Sequence, residues 1–166
     1  MIPHPDKKRI GFCRNMARKK LNKYFLEFPP FKLPIPIVDI ARYFRFEIFE
    51  LNNLGKHQRA IKYVQEGRKL IGINSTFSLV NRRFSIGHEL GHDFLGHPSE
   101  DECSKDEVKF YDREADEFSA EMLIPFEDLK IRIQKNSSIS DLISLYNVSE
   151  QALFLKIQNQ NLLKFL

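Results

Sequence analysis

Apolar residues at the start of the chain recur at spacings of three and four: Ile10, Cys13, Ala17, Leu21, Tyr24 and Phe28, with basic residues between them. That period predicts a helix over residues 7–28 with one stripe facing a core. Pro29, Pro30, Pro34 and Pro36 then interrupt the pattern, and Val38, Ala41 and Phe44 predict a second, short helix from about Ile37. Residues 46–51 are rich in aromatic and β-branched types and run into Asn52, Asn53 and Gly55, which reads as a strand and a turn. Residues 60–64 and 69–74 flank Gln65-Glu66-Gly67-Arg68 as a β-hairpin.

The helical period returns with Phe84, Ile86, Leu90 and Leu95, with Ser78 or Asn81 as cap and Gly96 as terminator. An acidic segment without apolar period follows. A further helix is predicted from about Tyr111, burying Ala115, Phe118, Met122 and Leu123 until Pro125 stops it, and the tail divides into short helices over residues 128–134, 139–146 and 149–158. The expected class is α+β: a small, mainly antiparallel sheet packed against the helix after it, with N-terminal helices and a C-terminal helical subdomain. The expected organisation is one domain over residues 1–126 and a helical subdomain over residues 127–166 packed on it.

Composition changes this picture little. At 166 residues, 42% hydrophobic and 29% charged, the chain has ordinary globular usage and room for one real core. No run approaches the roughly 18 apolar residues that span a bilayer, and the basic start lacks an apolar secretion core, so a cytoplasmic location is expected. Cys13 and Cys103 form no C-x-x-C pair and are expected to be reduced bystanders. Charge is more informative. Residues 7–23 carry eight bases and no acid, whereas residues 99–121 carry ten acids against three bases. A basic face of this kind meets nucleic acid in some proteins, but a solvated helix face is the plainer expectation. The tail at residues 139–157 has helix-turn-helix spacing, yet Lys156 is the one base on its second helix, so nucleic acid is not an expected partner.

The candidate chemistry lies in His88-Glu89-Leu90-Gly91-His92. Residues four apart share a helix face, so His88 and His92 direct their imidazoles to one point, as zinc binding requires. Glu89, beside them, is the candidate general base for a zinc-bound water. A metzincin would need glycine and histidine where Leu95 and Pro98 stand, so that class is disfavoured. The third ligand is then expected from the downstream acidic helix. Asp112 is the candidate, with Asp116 on the same face as an acceptor that fixes a histidine ring, and Glu114 is the alternative ligand. His97 and Tyr111 are candidate donors to the oxyanion, and the strand ending at Asn74 is a candidate edge for an extended substrate. The expected activity is zinc-dependent peptide hydrolysis, the alternative being a metal-bound, catalytically weak regulatory or DNA-associated protein.

These residues resemble the ImmA/IrrE family of zinc peptidases, a gluzincin-type group. The resemblance rests on Arg83-Phe84-Ser85-Ile86-Gly87-His88-Glu89-Leu90-Gly91-His92 and on Glu114 through Pro125, with weaker support from Ile71-Gly72-Ile73-Asn74, from Pro36 to Ala41 and from Val148 to Leu153. It implies cleavage of a partner protein, often a helix-turn-helix repressor. In such proteins the second motif usually begins with a zinc-binding glutamate three residues before the alanine, and here Asp112 fills that slot. The shorter arm implies either closer helices or a weaker site.

Overall fold

In the computed structural model, which describes residues 6–165, the first helix α1 (Lys7–Glu27) starts at Asp6, whose side chain accepts from the Arg9 amide at 2.8 Å. Its buried stripe is Cys13, Ala17, Leu21 and Tyr24, and the prolines lead into α2 (Ile37–Tyr43). Three strands follow, β1 (Phe46–Leu51), β2 (Ala60–Gln65) and β3 (Arg68–Asn74). Glu66 and Gly67 both have positive φ, 52° and 77°, the backbone of the tight primed turn that matches hairpin twist.

The sheet is mixed rather than mainly antiparallel. Its order is β1-β3-β2, with β2 antiparallel and β1 parallel to β3. The physical reason is burial. β3 buries Leu70, Ile71 and Ile73 and is suited to the centre, whereas β2 exposes Ile61, Tyr63 and Val64 and is suited to an edge. The chain therefore crosses the end of β3 to reach β2. The buried Asn74 amide holds that crossing, donating to the Gln58 carbonyl at 2.9 Å while its oxygen accepts from the Thr76 hydroxyl at 2.7 Å. Because β3 is paired on both sides, it offers no edge to a substrate; the free edge next to α3 belongs to β2.

Helix α3 (Leu79–Leu95) is capped by Ser78 and ends at Gly96, which takes the left-handed conformation at φ 72°. It packs on β2 and β3 and, most extensively, on α4 (Lys105–Leu123). Helix α4 begins six residues before the apolar period does. Its first turns face water and are started by the reciprocal Ser104 and Glu107 cap, not by a buried stripe. Three short helices follow, α5 (Phe126–Gln134), α6 (Ile139–Tyr146) and α7 (Glu150–Asn159). One continuous apolar cluster joins α1, α2, the sheet, α3 and α4 to Leu129, Leu142, Leu153 and Leu162. The Arg83 guanidinium ties α3 to both sides of it, donating to the Ile35 carbonyl at 2.9 Å and to that of Asn147 at 3.2 Å.

Three of the eight bases in residues 7–23 pair with the acidic segment of the sequence. Arg9, Arg14 and Arg18 lie along one face of α1 and meet Glu114, Glu117 and Glu121 of α4 at 2.6, 2.9 and 2.7 Å. Arg14 is largely buried in its pair, whereas Arg9 and Arg18 pair with buried carboxylates and stay partly exposed. Lys156 is also buried and pairs with Glu121, so the second helix of the helix-turn-helix-like tail turns its base inward. Among the described residues, no helix is long and apolar enough to cross a membrane.

Candidate metal centre

His88 and His92 stand one turn apart on α3, with their Nε2 atoms 3.0 Å from each other. Asp112 of α4 brings Oδ1 to 3.7 Å from His88 Nε2 and 3.3 Å from His92 Nε2, and these three atoms form the group able to hold a metal ion among the described residues. The hydrogen bonds behind the rings decide which nitrogens carry protons. His88 Nδ1 lies 2.8 Å from Asp116 Oδ1, an acceptor, so Nδ1 donates and the neutral ring turns a bare Nε2 to the centre. His97 Nε2 lies 2.9 Å from Glu114 Oε2 and donates to it; the neutral His97 ring then has an acceptor at Nδ1, and His92 Nδ1, 2.9 Å away, donates to that. His92 Nε2 is also left bare. With both rings neutral, two nitrogen lone pairs and a carboxylate oxygen converge on one point, an arrangement that calls for a cation.

Electrostatics agree with this. Burial acts to raise the Asp112 carboxyl, but the two histidines outweigh it and hold the group well below the usual carboxylate range. Burial acts to lower the His88 imidazole, yet Asp112 and Asp116 outweigh it and push it up to about 10. Without a metal, a proton takes the place that the acid-rich centre reserves for positive charge. Glu89 is half-buried beside the histidines, and its carboxyl is raised by burial against the opposing pull of His88, His92 and Lys62. Glu89, His88, His92, Tyr111 and the strand β2 line one cleft of about 590 Å³.

The model of the IrrE N-terminal-like domain, a peptidase family, matches residues 41–157, which include every side chain of this centre. The chain belongs to that peptidase family. No curated protein matches the chain. Among solved structures, a Mycobacterium tuberculosis transcriptional regulator is similar at TM-score 0.58 and 14% identity, over 89% of this chain and 45% of that one. That likeness is one of fold, and the chain spans less than half the length of that regulator.

Within this peptidase fold, the two glycines of α3 set how near α4 comes. A Cβ at Gly87 would overlap Ser119 Oγ, and one at Gly91 would lie 3.0 Å from Ala115 Cα and 3.1 Å from its carbonyl oxygen. Backbone therefore meets backbone one turn from Asp112, at a separation its short side chain can bridge. Gly91→Ala should add about 1 kcal/mol of helix propensity and yet lose net stability, because overpacking against a backbone costs about 1–3 kcal/mol. Urea unfolding checks this; a variant as stable as the parent would mean that the helices can part freely.

The remaining candidates fall elsewhere. Glu114, the alternative ligand, is fully buried but turns away from the centre toward Arg9 and His97. His97 cannot donate to an oxyanion, since Glu114 and His92 occupy both of its nitrogens. Tyr111 stacks on His97 with ring centres 4.6 Å apart and lines the cleft. Arg9 is the residue that sequence reasoning did not single out. Its signal was the five- and four-residue spacing of Arg9, Arg14 and Arg18 against acids three and four apart on another helix.

Proposed function

We propose that the protein is a zinc-dependent peptidase that hydrolyses a peptide bond in a protein substrate. The observation that carries this reading is the convergence of His88 Nε2, His92 Nε2 and Asp112 Oδ1 on one point. Their separations of 3.0, 3.3 and 3.7 Å bracket the roughly 3.3 Å between neighbouring ligands of a tetrahedral zinc ion bound at about 2.0–2.1 Å. His88, His92 and Asp112 would hold the ion, a nitrogen- and oxygen-rich set that leaves a fourth position, as catalytic zinc sites do. When bound, zinc supplies a Lewis acid and makes water a nucleophile near neutral pH.

The chain's own residues do the rest. The Glu89 carboxylate takes the proton of the attacking water and returns it to the leaving amine. Its raised pKa makes it a stronger base toward that water than an ordinary glutamate. The outer edge of β2, with Ile61, Tyr63 and Val64 exposed, aligns an extended peptide through its unpaired backbone groups. Tyr111 is the donor for the oxyanion. Asp116 keeps the His88 ring in its metal-binding tautomer. The free thiols of Cys13 and Cys103 fit a reducing, cytoplasmic setting.

The family resemblance points to a helix-turn-helix repressor as the substrate class. The test is to load the protein with zinc, measure metal per chain, and follow purified repressors of this type by mass spectrometry. One zinc per chain, a defined cut, and loss of cutting on chelation with recovery on adding zinc back are the expected results. One bound zinc with intact repressors and intact unfolded polypeptide would leave a metal-bound interaction protein as the better reading.

A further inference from the structure

The two histidines of the centre are held by different devices. His88 is held by one carboxylate, Asp116, at the surface. His92 is held by a chain of three residues, the first two buried and the last, partly exposed, on another helix. Arg9 of α1 grips both oxygens of Glu114, Nε to Oε1 at 2.7 Å and Nη2 to Oε2 at 2.6 Å. Glu114 accepts from His97 Nε2 at 2.9 Å, and His97 Nδ1 faces His92 Nδ1 at 2.9 Å. The His97 side chain is 2% exposed and that of Glu114 0%, so water does not compete for the link between them. Arg9 lies outside the residues 41–157 that the family model covers.

We propose that Arg9, Glu114 and His97 are positioning residues for the metal ligand His92, and that α1 is thereby a working part of the metal centre. This rests on the metal-binding reading given above. The argument concerns hydrogen-bond direction. A guanidinium carries only donors, so both Glu114 oxygens serve as acceptors toward Arg9 and toward His97. His97 then has its hydrogen on Nε2 and its lone pair on Nδ1, which obliges His92 to present hydrogen at Nδ1 and a lone pair at Nε2. The fixed fork of Arg9 also pins Glu114 in two directions, which a single-point contact does not. Tyr111, stacked on His97, covers one face of that ring. Arg14–Glu117 joins the same two helices at 2.9 Å without touching the chain, and so separates the relay from simple helix docking.

The experiment uses the full 166-residue protein and zinc alone, with zinc affinity measured by competition with a chromophoric chelator and folding checked by urea unfolding. Arg9→Gln and His97→Leu should each weaken zinc binding about 10–100-fold. Arg14→Gln should stay within about twofold of the parent, even where it loses as much stability as Arg9→Gln. Arg9→Gln should add nothing in the His97→Leu background, because the effect passes through His97. Arg9→Lys, which keeps the charge but not the fork, should recover part of the affinity. Parent-like zinc affinity in a folded Arg9→Gln protein would overturn the relay while leaving the metal centre intact. A parent protein that takes up no zinc would overturn both.

Discussion

Glu89→Gln is expected to lower kcat by about 10²–10⁴-fold while the protein keeps its full complement of zinc. The amide matches the carboxylate in size but accepts no proton at neutral pH, and Glu89 contributes no atom to the three-atom cluster of His88, His92 and Asp112. Metal content and unfolding midpoint should therefore stay at parental values. The pH profile should change with the rate. Burial raises the Glu89 carboxyl above the ordinary 4.5 of a glutamate, so in the parent activity falls as acidification protonates it, and that acid limb sits above pH 4.5. The limb should be missing from whatever activity the Glu89→Gln variant retains. Steady-state kinetics on a cleaved repressor, with metal analysis of the same samples, measure both. A variant that turns over within a few fold of the parent would remove Glu89 from the proton transfers.

Glu121→Leu should cost about 3–5 kcal/mol of folding stability, the usual consequence of leaving one partner of a buried ion pair behind. Glu121 is fully buried and accepts from Arg18 Nε at 2.7 Å, from the Phe126 amide at 3.2 Å and from Lys156, which is itself 2% exposed. Arg18 is partly exposed and can turn to water, whereas Lys156 cannot. Burial already lowers the Lys156 ammonium, against the pull of Glu121. With Glu121 gone, that depression deepens. Since the folded state then prefers the neutral amine, the deficit is largest near neutral pH and shrinks as pH rises toward the 10.5 of a free lysine. The double variant Glu121→Leu with Lys156→Met should recover most of the loss, because replacing both partners by apolar groups is close to neutral. Urea unfolding at about pH 7 and about pH 9.5, two positions along the expected recovery, tests all three points. A double variant no more stable than the single one would show that the cost lies in packing, not in the stranded charge.

Local signals carried much of the architecture. The i, i+4 spacing puts His88 and His92 on one face of any helix they occupy, and the apolar residues around them make that helix on their own account. Ser78, Gly96, Glu66-Gly67 and Pro125 mark ends and turns through backbone preferences that act within a few residues. Solvent-facing turns carry a weaker signal. The first six residues of α4 face solvent and so show no apolar period, although Ser104 and Glu107 announce the start to a reader who looks for caps.

Other questions depend on which parts of the chain meet. Residues 112 and 114 are about 160° apart on a helix, so one of them faces α3 and the other α1. Periodicity leaves that choice open. It is made by the close approach of Ala115 to Gly91 and by the row of arginines on α1 that draws Glu114, Glu117 and Glu121 to the other side. The same holds for β3, made central by its burial rather than by its place in the chain, and for His97, whose partners come from two helices. The elements and the face shared by His88 and His92 are readable from the residues alone, because helix and turn geometry are settled over a few positions. Which acid faces the histidines, and which basic residue stands behind them, is a matter of packing between distant segments. Those contacts join positions up to 105 residues apart, and it is burial that selects among the pairs that local rules allow.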